Sequence, residues 1–297
     1  MRVGILGNTN KPVIGVVTRE LLGYLRRNSV AFVVEDELAK LYEEDAHAVP
    51  LQKTEKCSRD ELPVRCDFLI SLGGDGTMLS AAHTVGSRGV PILGVNLGKL
   101  GFLAEVPVED LFPCLDEIRA GKYVLEERMA LEARNTRDDS CYSSLNEVVV
   151  DRGISPRVIQ LETHVNDQYL VTYAADGIIV ATPTGSTGYS LASGGPIVVP
   201  GSGVITVTPI SPHTLSARPV LVPDASVIRI SVKSALKPVH LTADGQLEGF
   251  YDTPAEFTVR RAEYTVKLVK RLNRNYFDLL RTKLLWGRDL RIESSDT

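Results

Sequence analysis

Phe68-Leu69-Ile70-Ser71-Leu72-Gly73-Gly74-Asp75-Gly76-Thr77-Met78-Leu79-Ser80-Ala81-Ala82 joins an apolar run, a glycine-rich loop and the opening of a helical pattern. An apolar run this short, stopped by glycines, reads as a buried strand. A strand that runs straight into a loop and a helix is one half of a βαβ unit, which needs a parallel sheet. The neighbouring sequence repeats the pattern. Val3–Leu6 reads as a strand ending in Gly7-Asn8-Thr9-Asn10. Pro12 suits the first turn of a following helix, whose apolar face is Leu21, Leu22 and Leu25. Ala31–Val34 and Pro91–Val95 are further strands, the latter ending in Asn96-Leu97-Gly98. A helix is expected from Val108 to Ala120, with Leu111, Leu115 and Ile118 on one side and Gly121 just past its end. Residues 1–123 are therefore expected to form an α/β domain with a parallel, Rossmann-like sheet.

After Tyr123 the period changes to two. Ile159-Gln160-Leu161-Glu162, Ile228-Arg229-Ile230-Ser231-Val232 and Tyr264-Thr265-Val266-Lys267-Leu268 each place apolar residues on one face of a strand. Asn166-Asp167, Pro223-Asp224 and Asp252-Thr253-Pro254 supply turns between them. Residues 124–271 are expected to be an all-β domain of layered sheets. The tail, 272–297, turns helical again from Asn273 to Trp286, with Tyr276, Phe277, Leu280 and Leu284 as its apolar stripe, and is expected to return to the first domain.

Composition narrows the function. The chain has 297 residues, 43% hydrophobic and 24% charged, with a net charge of -4. That is an ordinary globular composition, and its acidic balance argues against a nucleic-acid surface. The opening residues do not resemble a secretory signal, and no apolar run approaches the roughly 18–20 residues that span a bilayer. A cytoplasmic enzyme, free of membrane and nucleic acid, is the expectation. Cys57, Cys66, Cys114 and Cys141 show no C-x-x-C pairing or zinc spacing and are expected to be free buried thiols. The five histidines form no metal constellation.

The Gly73–Thr77 loop is the chief candidate for chemistry. Glycines let backbone N–H groups approach a phosphate, and a helix N-terminus adds a favourable dipole. Asp75 would repel phosphates unless it accepts a proton from an attacking hydroxyl or helps to hold Mg2+. The plainer alternative is a tight strand-to-helix turn with Asp75 as the helix cap. No Gly-Lys-Ser/Thr follows, so this is not a P-loop, and it is not a G-x-G-x-x-G fingerprint. Thr182-Pro183-Thr184-Gly185-Ser186-Thr187-Gly188-Tyr189-Ser190 offers hydroxyls, open backbone and an aromatic ring to a polar ligand with a flat base, or is simply a turn-rich loop. Asn146-Glu147, before Val148-Val149-Val150, could read base and ribose edges or be solvated surface. Asp244-Gly245 reads first as a hairpin turn, and His213 as structural.

Taken in order, the Gly73–Thr77 loop, Asn96–Leu103, Asn146-Glu147, Asp176-Gly177, Thr182–Ser190, Pro212–Pro219 and Asp244-Gly245 resemble the bacterial NAD kinase family over nearly the whole chain. A Gly-Gly-Asp-Gly loop alone is shared with phosphofructokinases and with lipid kinases; the ordered set is far more specific. The resemblance implies an α/β domain followed by a β-rich one, with the C-terminal segment folding back. It implies transfer of the ATP γ-phosphoryl group to the 2′-hydroxyl of the adenosine ribose of NAD, with a divalent metal such as Mg2+, in a homo-oligomer. Asp75 then resembles the proton acceptor, with Gly76 beside it and Gly73, Gly74 and Thr77 around the donor phosphates. Asn146 and Glu147 match the pair that holds the adenosine half, and Asp176 an acidic residue near the nicotinamide end. Thr187, Gly188, Tyr189 and Ser190 match the loop around base and ribose, while Gln246 and Arg157 stand where polar substrate contacts occur. Gly188 replaces a frequent Ala, Lys99 a common Arg, and Ala192-Ser193 a frequent Ser-Ala, which puts any hydroxyl contact there in doubt.

Overall fold

A computed structural model describes residues 1–233, 238–272 and 275–286. The chain separates into two compact units. The first comprises Met1–Thr84, Val90–Glu126 and the chain from Leu268; the second comprises Val85–Gly89 and Glu127–Lys267.

The first unit opens with β1 (Arg2–Gly7), α1 (Ile14–Arg27), β2 (Ala31–Glu35), α2 (Asp36–Glu43), β3 (Lys56–Cys57) and α3 (Leu62–Arg65). It continues with β4 (Phe68–Gly73), α4 (Asp75–Val85), β5 (Ile92–Asn96), β6 (Val106–Pro107) and α5 (Leu111–Arg119). Its strands lie parallel in the order β3-β2-β1-β4-β5, with β6 beside β5. The chain works outward from β1 to β3, then crosses to place β4 on the other side of β1. That reversal makes the carboxyl ends of β1 and β4 a topological switch point, where open α/β sheets take their ligands. Leu72 O accepts the Asn8 N–H at 2.9 Å, so the loops leaving the two strands start side by side.

The apolar pattern explains the packing. Phe68, Ile70 and Leu72 of β4 join Val3 and Ile5 of β1 and Ile14, Val17, Leu21, Leu22 and Leu25 of α1 in one core. Full burial of such side chains contributes about 1.5–3 kcal/mol each. The helix expected from Val108 begins as a turn at Val108–Asp110 and becomes α-helical at Leu111; Leu111, Leu115 and Ile118 are buried as anticipated. The sequence reading had not separated α2, whose buried face is only Leu38, Ala39 and Tyr42.

The second unit contains β7 (Tyr123–Asn135, from Glu127), β8 (Cys141–Ser144), β9 (Glu147–Asp151), β10 (Ile159–Val165), β11 (Gln168–Ala175) and β12 (Gly177–Ala181). A short helix α6 (Tyr189–Ala192) precedes β13 (Val204–Ile210), β14 (Val220–Pro223), β15 (Ile228–Val232), β16 (Val239–Ala243), β17 (Leu247–Tyr251) and β18 (Ala255–Arg271). One antiparallel sheet runs β14-β13-β12-β9-β16-β17; β11, β10, β15 and β18 form another antiparallel set. Their inner faces share a core that includes Val148, Val150, Ile178 and Val180 from the first, and Leu161, Ile230 and Phe257 from the second. The layered β reading therefore holds, with α6 as a single helical turn inside the Thr182–Ser190 region and its end.

The last residues of β18 belong to the first unit, where Leu268 lies parallel to Ile92. Arg271 makes a forked contact to Glu117 (2.8 and 2.7 Å) and reaches Asp110 at 2.9 Å. The tail helix is α7 (Tyr276–Leu284), capped by the Asn275 side chain accepting from Phe277 N. Positions 273, 274 and 287–297 of the expected helical tail lie outside the described residues. Two expectations need correction. Leu279 and Leu280 are the buried side chains of α7, whereas Phe277 is 49% exposed, because it is rotated about 100° from the Tyr276–Leu280–Leu284 face. Cys57, Cys66 and Cys114 are buried, with burial pushing the Cys66 and Cys114 thiols up to about 11, but Cys141 is exposed at the start of β8.

Candidate active site

In the first unit the Gly73–Thr77 loop lies at the carboxyl end of β4 and opens α4. Gly74 O accepts the N–H groups of Thr77 and Met78, both at 3.0 Å, and so starts the helix. Asp75 does not cap it. Its Oδ2 accepts the Phe102 N–H at 2.7 Å, and its Oδ1 accepts those of Leu103 (2.9 Å) and Ala104 (3.0 Å). A carboxylate has about four acceptor positions. Three are filled here by consecutive amides, which leaves one on Oδ2. The loop comes this close because residue 101 is glycine: a Cβ there would overlap Asp75 Oδ1. Asn96 shapes the approach, accepting Gly98 N–H at 2.8 Å and donating to Lys99 O at 2.6 Å. Lys283 of α7 donates to Leu100 O at 2.6 Å and lies 5.4 Å from the Phe102 ring centroid.

The loop's glycines divide by surroundings. Gly73 is buried, and its carbonyl accepts Leu97 N–H at 2.7 Å, so its backbone faces the protein. A Cβ at Gly74 or Gly76 would meet nothing within 4 Å. Thr77 turns its hydroxyl back toward Gly74 N, 3.3 Å away.

In the second unit Asn146 and Glu147 start β9 and are brought together with the Thr182–Ser190 loop. Asn146 O accepts Thr182 N–H at 2.9 Å, and Thr182 Oγ1 donates to Leu145 O at 2.6 Å. Gly185 lies so close over Asn146 that a Cβ would overlap its carbonyl, and Gly188 comes within 2.9 Å of Glu147 Oε2 by the same measure. Asn146 Oδ1 and Glu147 Oε2 are buried yet find no hydrogen-bond partner among the described residues. Such unpartnered atoms also occur elsewhere in the chain, as at Ser71 and Thr206, but here two lie side by side under a glycine-rich loop, which suits a polar ligand. Burial, with the Asp244 carboxylate beside it, pushes the Glu147 carboxyl up to about 7, against a partial offset from the Tyr189 N–H.

The other sequence candidates are placed less evenly. Tyr189 is 45% exposed, with its ring available, and Thr187 Oγ1 donates to Thr184 O at 3.2 Å. Ser190 is fully buried and its hydroxyl is engaged with Thr208 Oγ1 at 3.1 Å, which gives it an internal role. Asp176 is held by Arg152 through Nε at 2.7 Å. Arg157 and Gln246 are exposed, the latter in the turn where its N–H meets Ala243 O at 3.0 Å. His213 is exposed, and its backbone N–H is bound to Ala174 O. The sequence reading missed Arg128 and did not foresee the burial of Asp244, which it had placed in a hairpin turn. Arg128, buried on β7, contacts Thr184 Oγ1 at 3.2 Å beside a cavity of about 120 Å3. Asp244 is buried rather than displayed on its turn. Among the described residues no group of three or more His, Cys, Asp or Glu could hold a metal ion, and no helix is long and apolar enough to cross a membrane.

Comparison with known proteins agrees along the chain. The ATP-NAD kinase N-terminal domain family matches residues 3–123, and the ATP-NAD kinase C-terminal domain family matches residues 145–271. An NAD kinase of Geobacter sulfurreducens is 41% identical over 289 residues, covering 96% of this chain and 99% of its own. One from Bacteroides fragilis is 39% identical, covering 98% and 100%. Among solved structures, yeast NADH kinase complexed with NADH superposes with a TM-score of 0.88 at 27% identity, covering 98% of this chain and 89% of that one. With both halves matched in order and relatives aligned end to end, the chain belongs to the NAD kinase family.

Proposed function

We propose that the chain is an NAD kinase that moves the γ-phosphoryl group of ATP to the 2′-hydroxyl of the adenosine ribose of NAD, with Asp75 as proton acceptor. One observation carries this reading: Asp75 is turned away from its own helix and held by three backbone amides, with one acceptor position left on Oδ2. That is how a base is kept at a fixed angle for an incoming hydroxyl. The open faces of Gly74 and Gly76 at the start of α4 suit the donor phosphates, since the backbone can be approached there without a Cβ. Gly73, turned inward, supports the loop instead.

Phosphoryl transfer asks the protein mainly for positioning and charge neutralisation. A ribose hydroxyl is far too weak an acid to lose its proton beforehand to a carboxylate. Asp75 Oδ2 therefore takes the proton late, as the oxygen–phosphorus bond forms and the bond to the leaving diphosphate breaks. Of the loop's side chains only Asp75 is a carboxylate, and its open position is assigned to the hydroxyl. Mg2+ would accordingly be held chiefly by the donor's phosphates and its retained waters, where it would neutralise their charge. Asn146 and Glu147 hold the adenosine half through their orphaned oxygens, Tyr189 offers its ring to the base, and Thr187 and Gly188 line the same loop. Asp176, fixed by Arg152, together with Arg157 and Gln246, contributes polar contacts. A homo-oligomer working in the cytoplasm completes the proposal.

A coupled assay for NADP formed from NAD, ATP and Mg2+ tests it directly. Product appearing only with all three present supports the assignment. Phosphorylation of a sugar or lipid in place of NAD, or NAD binding without turnover, overturns it.

A further inference from the structure

Asp244 follows β16 in a turn, with φ +54°, and Gly245 follows at +61°. Turn chemistry alone would be served as well by Asn, and would leave the side chain in water. Instead Asp244 is buried, and its carboxylate reaches back to the start of β9. Oδ2 accepts Leu145 N–H at 2.8 Å; Oδ1 accepts Asn146 N–H at 2.7 Å and Glu147 N–H at 3.2 Å. The Asp244 N–H returns a bond to Glu147 O at 3.0 Å, so the two segments clasp each other in both directions. These three residues include Asn146 and Glu147, each with a side-chain oxygen buried without a partner among the described residues. A second carboxylate is an expensive neighbour for buried Glu147, and a fold indifferent to the site has no use for it.

We propose that Asp244 is a positioning residue for the phosphoryl acceptor: it fixes the Leu145–Glu147 backbone so that Asn146 and Glu147 meet the nucleoside at a set depth and angle. The inference rests on the assignment of Asn146 and Glu147 to NAD. The geometry has an electrostatic consequence. The titratable groups facing Glu147 are Asp244, from the β16–β17 turn, and Tyr189, from α6. Burial and the Asp244 charge both favour the protonated Glu147 carboxyl near neutral pH, so Glu147 can donate a hydrogen bond as well as accept one. Asp244 thus sets both the position of the pair and the proton on its second member.

The test is steady-state kinetics of the full chain, wild type beside Asp244→Asn and Asn146→Ala, from about pH 5.5 to about pH 8.5 around the ordinary carboxylate and neutral ranges. In Asp244→Asn the side-chain NH2 faces at least one of the three backbone N–H groups, so at least one bond is replaced by repulsion and the rest lose their charge. KM for NAD should rise about ten- to a hundredfold, with KM for ATP and kcat changed less than about twofold, the pattern of a lost binding interaction. With the Glu147 carboxyl pushed up to about 7, KM for NAD should inflect with pH near that value in the wild type and lower in Asp244→Asn, once the neighbouring charge is gone. If KM for NAD and the inflection both stay put, or if only the yield of folded protein changes, Asp244 is merely structural and the inference fails. Asn146→Ala separates the two levels: if it leaves KM for NAD unchanged, the assignment of that residue to NAD is wrong, whatever Asp244 does. Should Asp244→Asn not fold, Asp244→Ser retains one acceptor at the same turn and must show the same selective rise in KM for NAD; an unchanged KM there also overturns the inference.

Discussion

In the first unit the Asp75 carboxylate gathers the amides of Phe102, Leu103 and Ala104; in the second the Asp244 carboxylate gathers those of Leu145, Asn146 and Glu147. Each draws three consecutive N–H groups from a distant stretch of chain. Their surroundings differ. Asp75 is partly exposed at the start of an eleven-residue helix and keeps one acceptor position open. Asp244 is 7% exposed, sits in a hairpin turn and stands beside a second carboxyl. On the proposed roles the same device does two jobs: where the carboxylate reaches solvent, the amides orient it for a substrate; where it is buried, it orients the amides and the side chains they carry.

The comparison breaks most sharply at Asp75. Asp75→Asn should keep NAD binding, measured by calorimetry, and lose about 10²- to 10⁴-fold in kcat, the usual size of general-base help. Near-wild-type turnover would remove the distinction, leaving both carboxylates as brackets. Gly101→Ala attacks the same clasp from the other side. The added methyl overlaps Asp75 Oδ1, so either the carboxylate or the Phe102–Ala104 loop must shift. Displacing a reacting group by an ångström can cost about a hundredfold, and we expect kcat to fall about 10- to 100-fold with KM for NAD nearly unchanged. A variant with full activity would mean that the loop does not set the angle of Asp75.

These contacts also mark where the sequence stopped being readable. The Phe68–Thr77 stretch could be placed because an apolar run, glycines and a helical pattern follow one another locally. The β-rich half could be read because strands such as Ile228–Val232 alternate strictly. Asn146-Glu147 was a weak candidate alone and gained weight only through its company in the ordered set of motifs. What could not be read was which amides each carboxylate would hold. A backbone N–H has no side-chain signature, and Asp75 and Leu103 are 28 positions apart, Asp244 and Asn146 98. Asp75 could thus still be read as a helix cap beside its reading as a base, and Asp244 as a plain turn residue. Ser190 carried a hydroxyl in the right loop, but burial against Thr208 was decided by the sheet and not by its neighbours in sequence.

A third prediction sharpens the buried side. With its carboxyl raised from the ordinary 4.5 to about 7 in the folded chain, Glu147 favours folding fully only below about 4.5. As pH rises from there to about 7 that contribution is lost, because ionising the buried group beside Asp244 is unfavourable. Glu147→Gln has no such ionisation. Its stability relative to wild type, followed by urea unfolding, should improve across that window by about 1–3 kcal/mol and level off above it. A difference independent of pH would show that Asp244 and burial do not act on Glu147, and the two carboxylates of the comparison would lose their electrostatic contrast.

The smallest effect is expected at Lys283, which touches neither carboxylate. It reaches Asp75 only through the loop: its ammonium donates to Leu100 O and lies by the Phe102 ring, while the N–H groups of Phe102 and the next two residues hold Asp75. Lys283→Met keeps the length and apolar stem and removes the charge. The loss of one partly exposed cation–π contact and one hydrogen bond is worth about 0.5–1 kcal/mol, or about two- to fivefold. If the loop carries this to Asp75, the loss appears in kcat, with KM for NAD held by Asn146 and Glu147 and so unchanged. Combining Lys283→Met with Asp75→Asn should then cost no more than Asp75→Asn alone, since the loop no longer has a base to orient. Additive losses in the double variant would place Lys283 outside this chain of contacts and confine the clasp to the three amides themselves.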